Sequence, residues 1–304
     1  MPGGVHPDLL VLLAAGDQPV PRDAAEARTP SPISQAGAGR AVLPVAHVED
    51  LDAGGVAVRC YDPRPDVHVG PPLPAVVWVH GGGFVTGSVD AVDHVCRSIA
   101  DRAPAVVVSV AYRLAPEHVY PAALDDVEQA LLFVSELATD LGIDPARVIV
   151  GGTSAGGNLA AAACLRARRH NGPVPASQVL VHPCLDTALE TASALEHATG
   201  FGLTRAKMAW FWDQYVPQGF EDDPEVAPLR EGDLAGLPPA LVVLAERDMM
   251  RDEGLEYAER LRRAGVEVRT HVWPGMIHGF LGLGAVTACA DAAIDEIAAF
   301  VAAS

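Results

Sequence analysis

Residues 147–157 read Arg147-Val148-Ile149-Val150-Gly151-Gly152-Thr153-Ser154-Ala155-Gly156-Gly157, and an alanine-rich stretch runs on to residue 169. A short β-branched run that ends in glycines and passes straight into a helical pattern predicts a strand, a tight turn and a helix. Ser154 stands at the tip of that turn in a G-x-S-x-G arrangement. The turn has a steric requirement: the residues two before and two after the serine must carry no side chain that collides in a strained backbone. Gly152 and Gly156 meet it. The turn also points a helix N-terminus, with its partial positive charge, at any negative charge that develops beside Ser154.

A serine hydroxyl is a poor nucleophile near neutral pH, so a base and an orienting acid must come from elsewhere in the chain. Asp248 follows the apolar run at 241–245. His278 follows the run at 268–273 through Pro274-Gly275-Met276-Ile277 and precedes Gly279-Phe280. Both sit just past predicted strands, in the order serine, acid, histidine. Asp252 is a second carboxylate nearby, but it opens the next helix, where capping and the macrodipole already account for it. Upstream, His80-Gly81-Gly82-Gly83-Phe84 follows a strand-like run at 75–79. Attack on a carbonyl creates an oxyanion that needs preorganised N–H donors, and a glycine run lets the backbone come close enough to supply them. The expected donors are the amides of Gly82, Gly83 and Ala155, with Gly81 as a further candidate.

Outside these motifs the text alternates between strand-like and helical patterns. Strands are predicted at 56–60, 75–79, 105–110, 147–150, 178–181, 240–245 and 268–273. Helices are predicted at 92–103, 121–137, 155–169, 252–263 and 288–302. Such alternation means an α/β domain: a mostly parallel central sheet flanked by helices, since a parallel strand is reached only through a crossover. Almost sixty residues between the strands ending near 181 and beginning near 240 break the rhythm. They contain an aromatic helix candidate at 204–216, and the stretch of about 185–225 reads as a lid over the carboxyl ends of the strands. Phe201, Trp210 and Tyr215 belong either to a pocket or to the lid core. Phe84, Met208, Phe211, Trp212 and Ile277 are the candidate pocket residues. Residues 16–40 show no sustained period and read as a mobile or loosely helical lead-in. Residues 1–45 are therefore expected to form an N-terminal lid segment on a catalytic domain at 46–304.

The bulk numbers narrow the class. With 304 residues, half of them hydrophobic, the chain can bury one substantial core. A formal charge of −18 repels a nucleic-acid backbone, so no nucleic-acid partner is expected. The same field would disfavour anionic substrates. Five scattered cysteines without a C-x-x-C pair fit a reducing cytoplasm. The apolar run at 9–15 is too short to span a bilayer and lacks a basic lead, so no stable membrane insertion is expected. His94 with Cys96 and His182 with Cys184 lack a second cluster to complete four ligands, so no metal is expected. The composition does not choose between a monomer and a homo-oligomer.

Five motifs taken together resemble one family. His80-Gly81-Gly82-Gly83-Phe84, Tyr112-Arg113-Leu114-Ala115-Pro116-Glu117, Gly152-Thr153-Ser154-Ala155-Gly156-Gly157-Asn158, Arg251-Asp252-Glu253-Gly254 and His278-Gly279-Phe280 stand in the order found in the hormone-sensitive-lipase-like esterases. The resemblance runs from about residue 56 to the C-terminus. It implies the α/β-hydrolase fold with a small lid and hydrolysis of a small-molecule ester of short or medium acyl chain, without cofactor. The chain departs from the family at Asp248-Met249-Met250, where Asp-Pro-Leu is usual, and its N-terminal helices are less well marked. The same residues would serve an amidase or deacetylase acting on a secondary metabolite. A non-catalytic ligand-binding module on the same fold is the alternative from another class, and the filled serine, acid and histidine positions argue against it.

Overall fold

The computed structural model describes residues 4–17, 19–37, 42–66, 70–170 and 172–304. Parts of the N-terminal segment expected at 1–45, namely 1–3, 18 and 38–41, lie outside the described residues.

The strands are β1 (His47–Asp52), β2 (Ala57–Asp62), β3 (Leu73–Val79), β4 (Val106–Val110), β5 (Ile143–Thr153), β6 (Ser177–Val181), β7 (Ala240–Arg247) and β8 (Val268–Ile277). They form one sheet in the order β1-β2-β4-β3-β5-β6-β7-β8. β2 pairs antiparallel with both β1 and β4, and every other pairing is parallel. β1 was absent from the sequence reading. Its segment His47-Val48-Glu49-Asp50-Leu51-Asp52 is largely exposed and acidic, as befits an edge strand that must discourage pairing with another chain.

The helices are α1 (Leu10–Leu13), α2 (Ala24–Ala27), α3 (Pro32–Gly37), α4 (Asp93–Arg102), α5 (Ala122–Glu136), α6 (Ala155–His170), α7 (Ala192–Glu196), α8 (Arg205–Tyr215), α9 (Arg251–Arg263) and α10 (Ala288–Ala303). Side-chain alternation on β3 divides the core in two. Ala75, Val77 and Val79 face α5, α6 and α9, whereas Val76 and Trp78 face α4 and α10. β4 is buried at all five positions and β3 at six of seven, because helices cover both faces of the sheet. α6 is buried from Ala155 through Ala167, and its alanines let it lie close against the strands.

The topology positions the site. β3 lies between β4 and β5, so the crossover from β3 runs to one side and the next, from β4 to β5, runs back past β3 to the other, and a crevice opens at the carboxyl ends of the strands. β3 and β5 are direct parallel neighbours with Val79 opposite Gly152. That register sets the glycine loop after Val79 beside the turn that carries Ser154.

Candidate active site

Ser154 adopts φ of +57°, a left-handed conformation that few residues with a Cβ take up. The glycines around it are required by contact. A Cβ on Gly152 would come within 2.5 Å of the Val79 carbonyl and the Gly156 backbone, and one on Gly156 would overlap the Val79 carbonyl. The strained turn is thus locked between β3 and α6, and its backbone N–H bonds the Val181 carbonyl of β6 at 2.9 Å.

The turn presents the serine to His278. Ser154 Oγ lies 2.8 Å from His278 Nε2, and His278 Nδ1 lies 2.8 Å from Asp248 Oδ2. β7 ends just before Asp248 and β8 just before His278, so adjacent strands place the pair side by side. Met249 and Met250 preserve the turn despite departing from the usual Asp-Pro-Leu. Both are buried, and the Met250 N–H donates to Asp248 Oδ1 at 3.0 Å. Burial by itself would raise the Asp248 carboxyl, but the facing imidazoles of His278 and His182 and the Met250 amide hold it below the usual carboxylate range. Asp252 points elsewhere: it accepts from the Ser193 N–H at 2.8 Å and from Arg251 Nε at 2.9 Å.

The glycine loop lies against the serine turn, where a Cβ on Gly81 would sit 3.3 Å from Ser154 Cβ and 2.9 Å from the Thr153 carbonyl. Among the described residues, none accepts a hydrogen bond from the amides of Gly82, Gly83 or Ala155. Three N–H groups without an acceptor among the described residues are therefore left in the glycine loop and the turn that carries Ser154. His80 anchors the start of the loop. Its Nδ1 is 2.8 Å from the Gly81 carbonyl and its ring stacks on Tyr112, whose hydroxyl donates back to the His80 carbonyl at 3.0 Å. Burial pushes the His80 imidazole down to about 4, so it stays neutral. The motif Tyr112 to Glu117 is thus a brace: Arg113 forks onto Asp126, and Glu117 takes both outer nitrogens of Arg28 at 2.8 and 2.7 Å.

Above these residues lies a cavity of about 350 Å³. Of the expected pocket residues, Met208 and Phe211 line it. Phe84, Trp212 and Ile277 do not, which corrects the sequence reading. Phe84 stacks on Tyr215 with centroids 3.9 Å apart and touches Trp212, forming an aromatic core beneath the glycine loop, and Ile277 is buried in the opposite core. Several wall residues were not expected as such, among them residues of the N-terminal segment. Leu12 and Ile33 close the cavity from the N-terminal segment, which Arg28 pins through its bonds to Glu117 and the Val85 carbonyl. The lead-in expected to be mobile or loosely helical at 16–40 carries two short helices, α2 and α3, and α1 precedes it. An unpatterned stretch gives little sign of this, because its apolar residues find their surface only in the folded domain.

His182 was noted in sequence only as half of a metal pair. It follows β6 with φ of +36° and sets its ring 4.5 Å from that of His278. Both its nitrogens are buried without a partner among the described residues. Burial first, and then the nearby His278, push it down to about 3. His182, Asp248 and His278 offer ligand atoms within 4.8 Å of one another. Among the described residues they come nearest to a metal set, but the last two are already hydrogen-bonded to each other.

A left-handed serine at a strand-to-helix turn, an imidazole and carboxylate behind it, and a glycine loop on the neighbouring strand define an α/β hydrolase. Residues 76–282 match the alpha/beta hydrolase fold family. The chain belongs to that family, in its hormone-sensitive-lipase-like branch. It is 41% identical over 258 residues to carboxylesterase NlhH of Mycobacterium tuberculosis, covering 82% of this chain and 80% of that protein. It is 40% identical over 253 residues to carboxylic ester hydrolase LipN of the same organism, covering 79% of this chain and 66% of that one. Among solved structures, the monoclinic form of an esterase from Pyrobaculum calidifontis superposes with a TM-score of 0.90 at 38% identity, covering 98% of both chains.

Proposed function

We propose that the protein is a serine carboxylesterase acting on small esters of short to medium acyl chain. The observation that carries the reading is the hydrogen-bonded line Ser154, His278, Asp248 at the floor of a largely apolar cavity. Ser154 Oγ attacks the ester carbonyl while His278 Nε2 takes its proton. The developing oxyanion is held by the amides of Gly82, Gly83 and Ala155, with Gly81 beside them. His278 then returns the proton to the departing alcohol, and a water molecule repeats the sequence on the acyl-enzyme. Asp248 holds the imidazole in the tautomer with its proton on Nδ1 and supports the imidazolium that forms. A cavity of about 350 Å³ suits a small ester rather than a long-chain lipid.

The N-terminal segment at 1–45 and the stretch of about 185–225 serve as the lid of a catalytic domain at 46–304. The contacts of Leu12, Ile33, Met208 and Phe211 with the cavity support this. A reducing cytoplasm is the proposed setting, supported by five cysteines that stand unpaired. Among the described residues no helix is long and apolar enough to cross a membrane.

The test is a series of p-nitrophenyl esters of increasing acyl length with the wild type and Ser154→Ala. The substitution should lower turnover by about a thousandfold to a millionfold while leaving the fold intact. An organophosphate should label Ser154 in the wild type. Near-normal turnover in Ser154→Ala, or a label on another residue, overturns the assignment.

A further inference from the structure

Lys207 is the only lysine in the sequence, and it stands in the wall of the cavity that holds Ser154. The chain carries 39 Asp and Glu residues, yet none is among the described residues that line this cavity. Its side chain forms no ion pair among the described residues. Its ammonium lies over the ring of Phe211, with Nζ 5.8 Å from the centroid. Burial lowers its ammonium pKa, which means the site as it stands offers the charge little compensation.

Helix energetics do not explain the residue either. The Lys207 N–H bonds the side chain of the N-cap Thr204 at 3.1 Å, so the lysine occupies the third position of α8. There a capping box would place Glu or Gln, and the helix dipole disfavours a cation. The first turn of α8 contains no acidic residue.

The placement relative to the chemistry is direct. Phe211 lies one turn further along α8 and rests on Gly83 of the glycine loop. Lys207 is therefore one helical turn, about 6 Å along the axis, beyond the ring that abuts the expected oxyanion donors. An ester bound with its carbonyl at Gly83 would run one arm past Phe211 toward the ammonium.

We propose that Lys207 selects esters that carry a carboxylate on the arm remote from the scissile bond. This rests on the esterase reading and deepens it. The overall charge of −18 does not oppose it. A surface field is screened within about 10 Å at ordinary salt, whereas a partly buried pair in a narrow apolar cavity is screened much less. The local cation therefore outweighs the distant anions, and the expectation drawn from composition, that anionic substrates are disfavoured, is reversed within the pocket.

The experiment measures kcat/KM for matched charged and neutral esters with wild type, Lys207→Met and Lys207→Arg. One pair, p-nitrophenyl hydrogen adipate and p-nitrophenyl heptanoate, puts the charge on the acyl arm. A second, 5-acetoxypentanoate and hexyl acetate, puts it on the alcohol arm. For at least one pair, Lys207→Met should lower the charged-to-neutral ratio by about ten- to a hundredfold, chiefly through KM. Lys207→Arg should keep most of the ratio, and the wild-type preference should persist as salt is raised. An unchanged ratio in Lys207→Met for both pairs, or a preference abolished by salt, overturns the proposal. If the wild type cleaves neither member of either pair, the esterase reading itself has failed. The role of Lys207 is then read from equilibrium binding of hydrogen adipate hexyl ester. Tighter binding to the wild type than to Lys207→Met supports the proposal, and equal binding overturns it.

Discussion

The ring of Phe211 lies directly against the α-carbon of Gly83, where an added Cβ would come within 2.3 Å of the ring's Cγ. Gly83 has φ of +59°, so a side chain there meets both backbone strain and a buried aromatic wall. Gly83→Ala should displace the loop from Ser154 and lower kcat/KM on a neutral ester roughly a hundredfold, the scale of losing one oxyanion donor. Adding Phe211→Leu should recover part of that loss by making room. A single variant as active as the wild type would show that the loop takes up the side chain without moving away from Ser154.

Asp248 and Asp252 lie four residues apart and do unlike things. Asp248 meets His278 Nδ1 at 2.8 Å, whereas Asp252 caps the backbone of Ser193 at 2.8 Å and so ties α7 to α9. Asp248→Asn should favour the wrong imidazole tautomer and lower turnover by up to about ten-thousandfold with little change in melting temperature. Asp252→Asn should cost on the order of 1 kcal/mol of stability and little turnover. Steady-state kinetics and thermal melts on both variants decide the matter, and a reversed pattern would make Asp252 the acid.

His80 and His182 are buried neutral imidazoles, pushed down to about 4 and about 3. Each binds a proton near 6.5 when the chain unfolds but resists protonation while folded. Their contribution to stability is therefore complete above about 6.5 and is lost as pH falls toward the folded values. His182→Phe should make stability fall less steeply below pH 6.5 than in the wild type. It should leave the pH dependence of kcat/KM between pH 5 and 8 unchanged, since His182 does not titrate there. Denaturant unfolding at pH 7 and 5 checks the first point. An unchanged slope would mean that the ring is not held neutral.

What the sequence made readable follows from which interactions are local. Ser154, Gly152 and Gly156 answer to one turn's sterics, and the patterns on β3 and β5 are long enough to read, so the elbow and its sheet were legible. Asp248 and His278 were legible because strand ends present residues at one edge. The pocket was not. Met208, Phe211 and Trp212 are all apolar and close in sequence, yet the first two face the cavity and Trp212 packs with Phe84. That choice is made by how α8 docks on the glycine loop, a contact between segments more than a hundred residues apart. Lys207 was similarly opaque, since only the fold shows that its side chain borders the cavity. β1 escaped notice because its charges suit an edge strand and hide the period.

Glu253 is fully buried in α9, and its Oε2 accepts from the backbone N–H groups of Leu185 at 2.7 Å and Asp186 at 3.1 Å. It thereby holds the chain where it leaves β6 on the way to α7. Burial raises its carboxyl to about 8, with the neighbouring carboxylates of Asp186 and Asp248 pushing the same way against those two amides. The folded protein keeps this proton up to about pH 8, whereas the unfolded chain releases it near the ordinary value of about 4.3. Between these limits the native state binds one more proton than the unfolded state, so this group makes stability fall as pH rises, and the effect levels off above 8. Glu253→Gln retains an oxygen acceptor for the two amides and cannot ionise. Relative to the wild type it should be comparable or somewhat less stable near pH 5 and should gain ground steadily toward pH 8. The two buried histidines are present in both proteins, so their opposing acid-side slope cancels in the difference. Urea unfolding of both proteins at pH 5, 6.5 and 8 measures it. A difference that stays constant across that range would mean that Glu253 is ionised in the fold and that the two amides outweigh its burial.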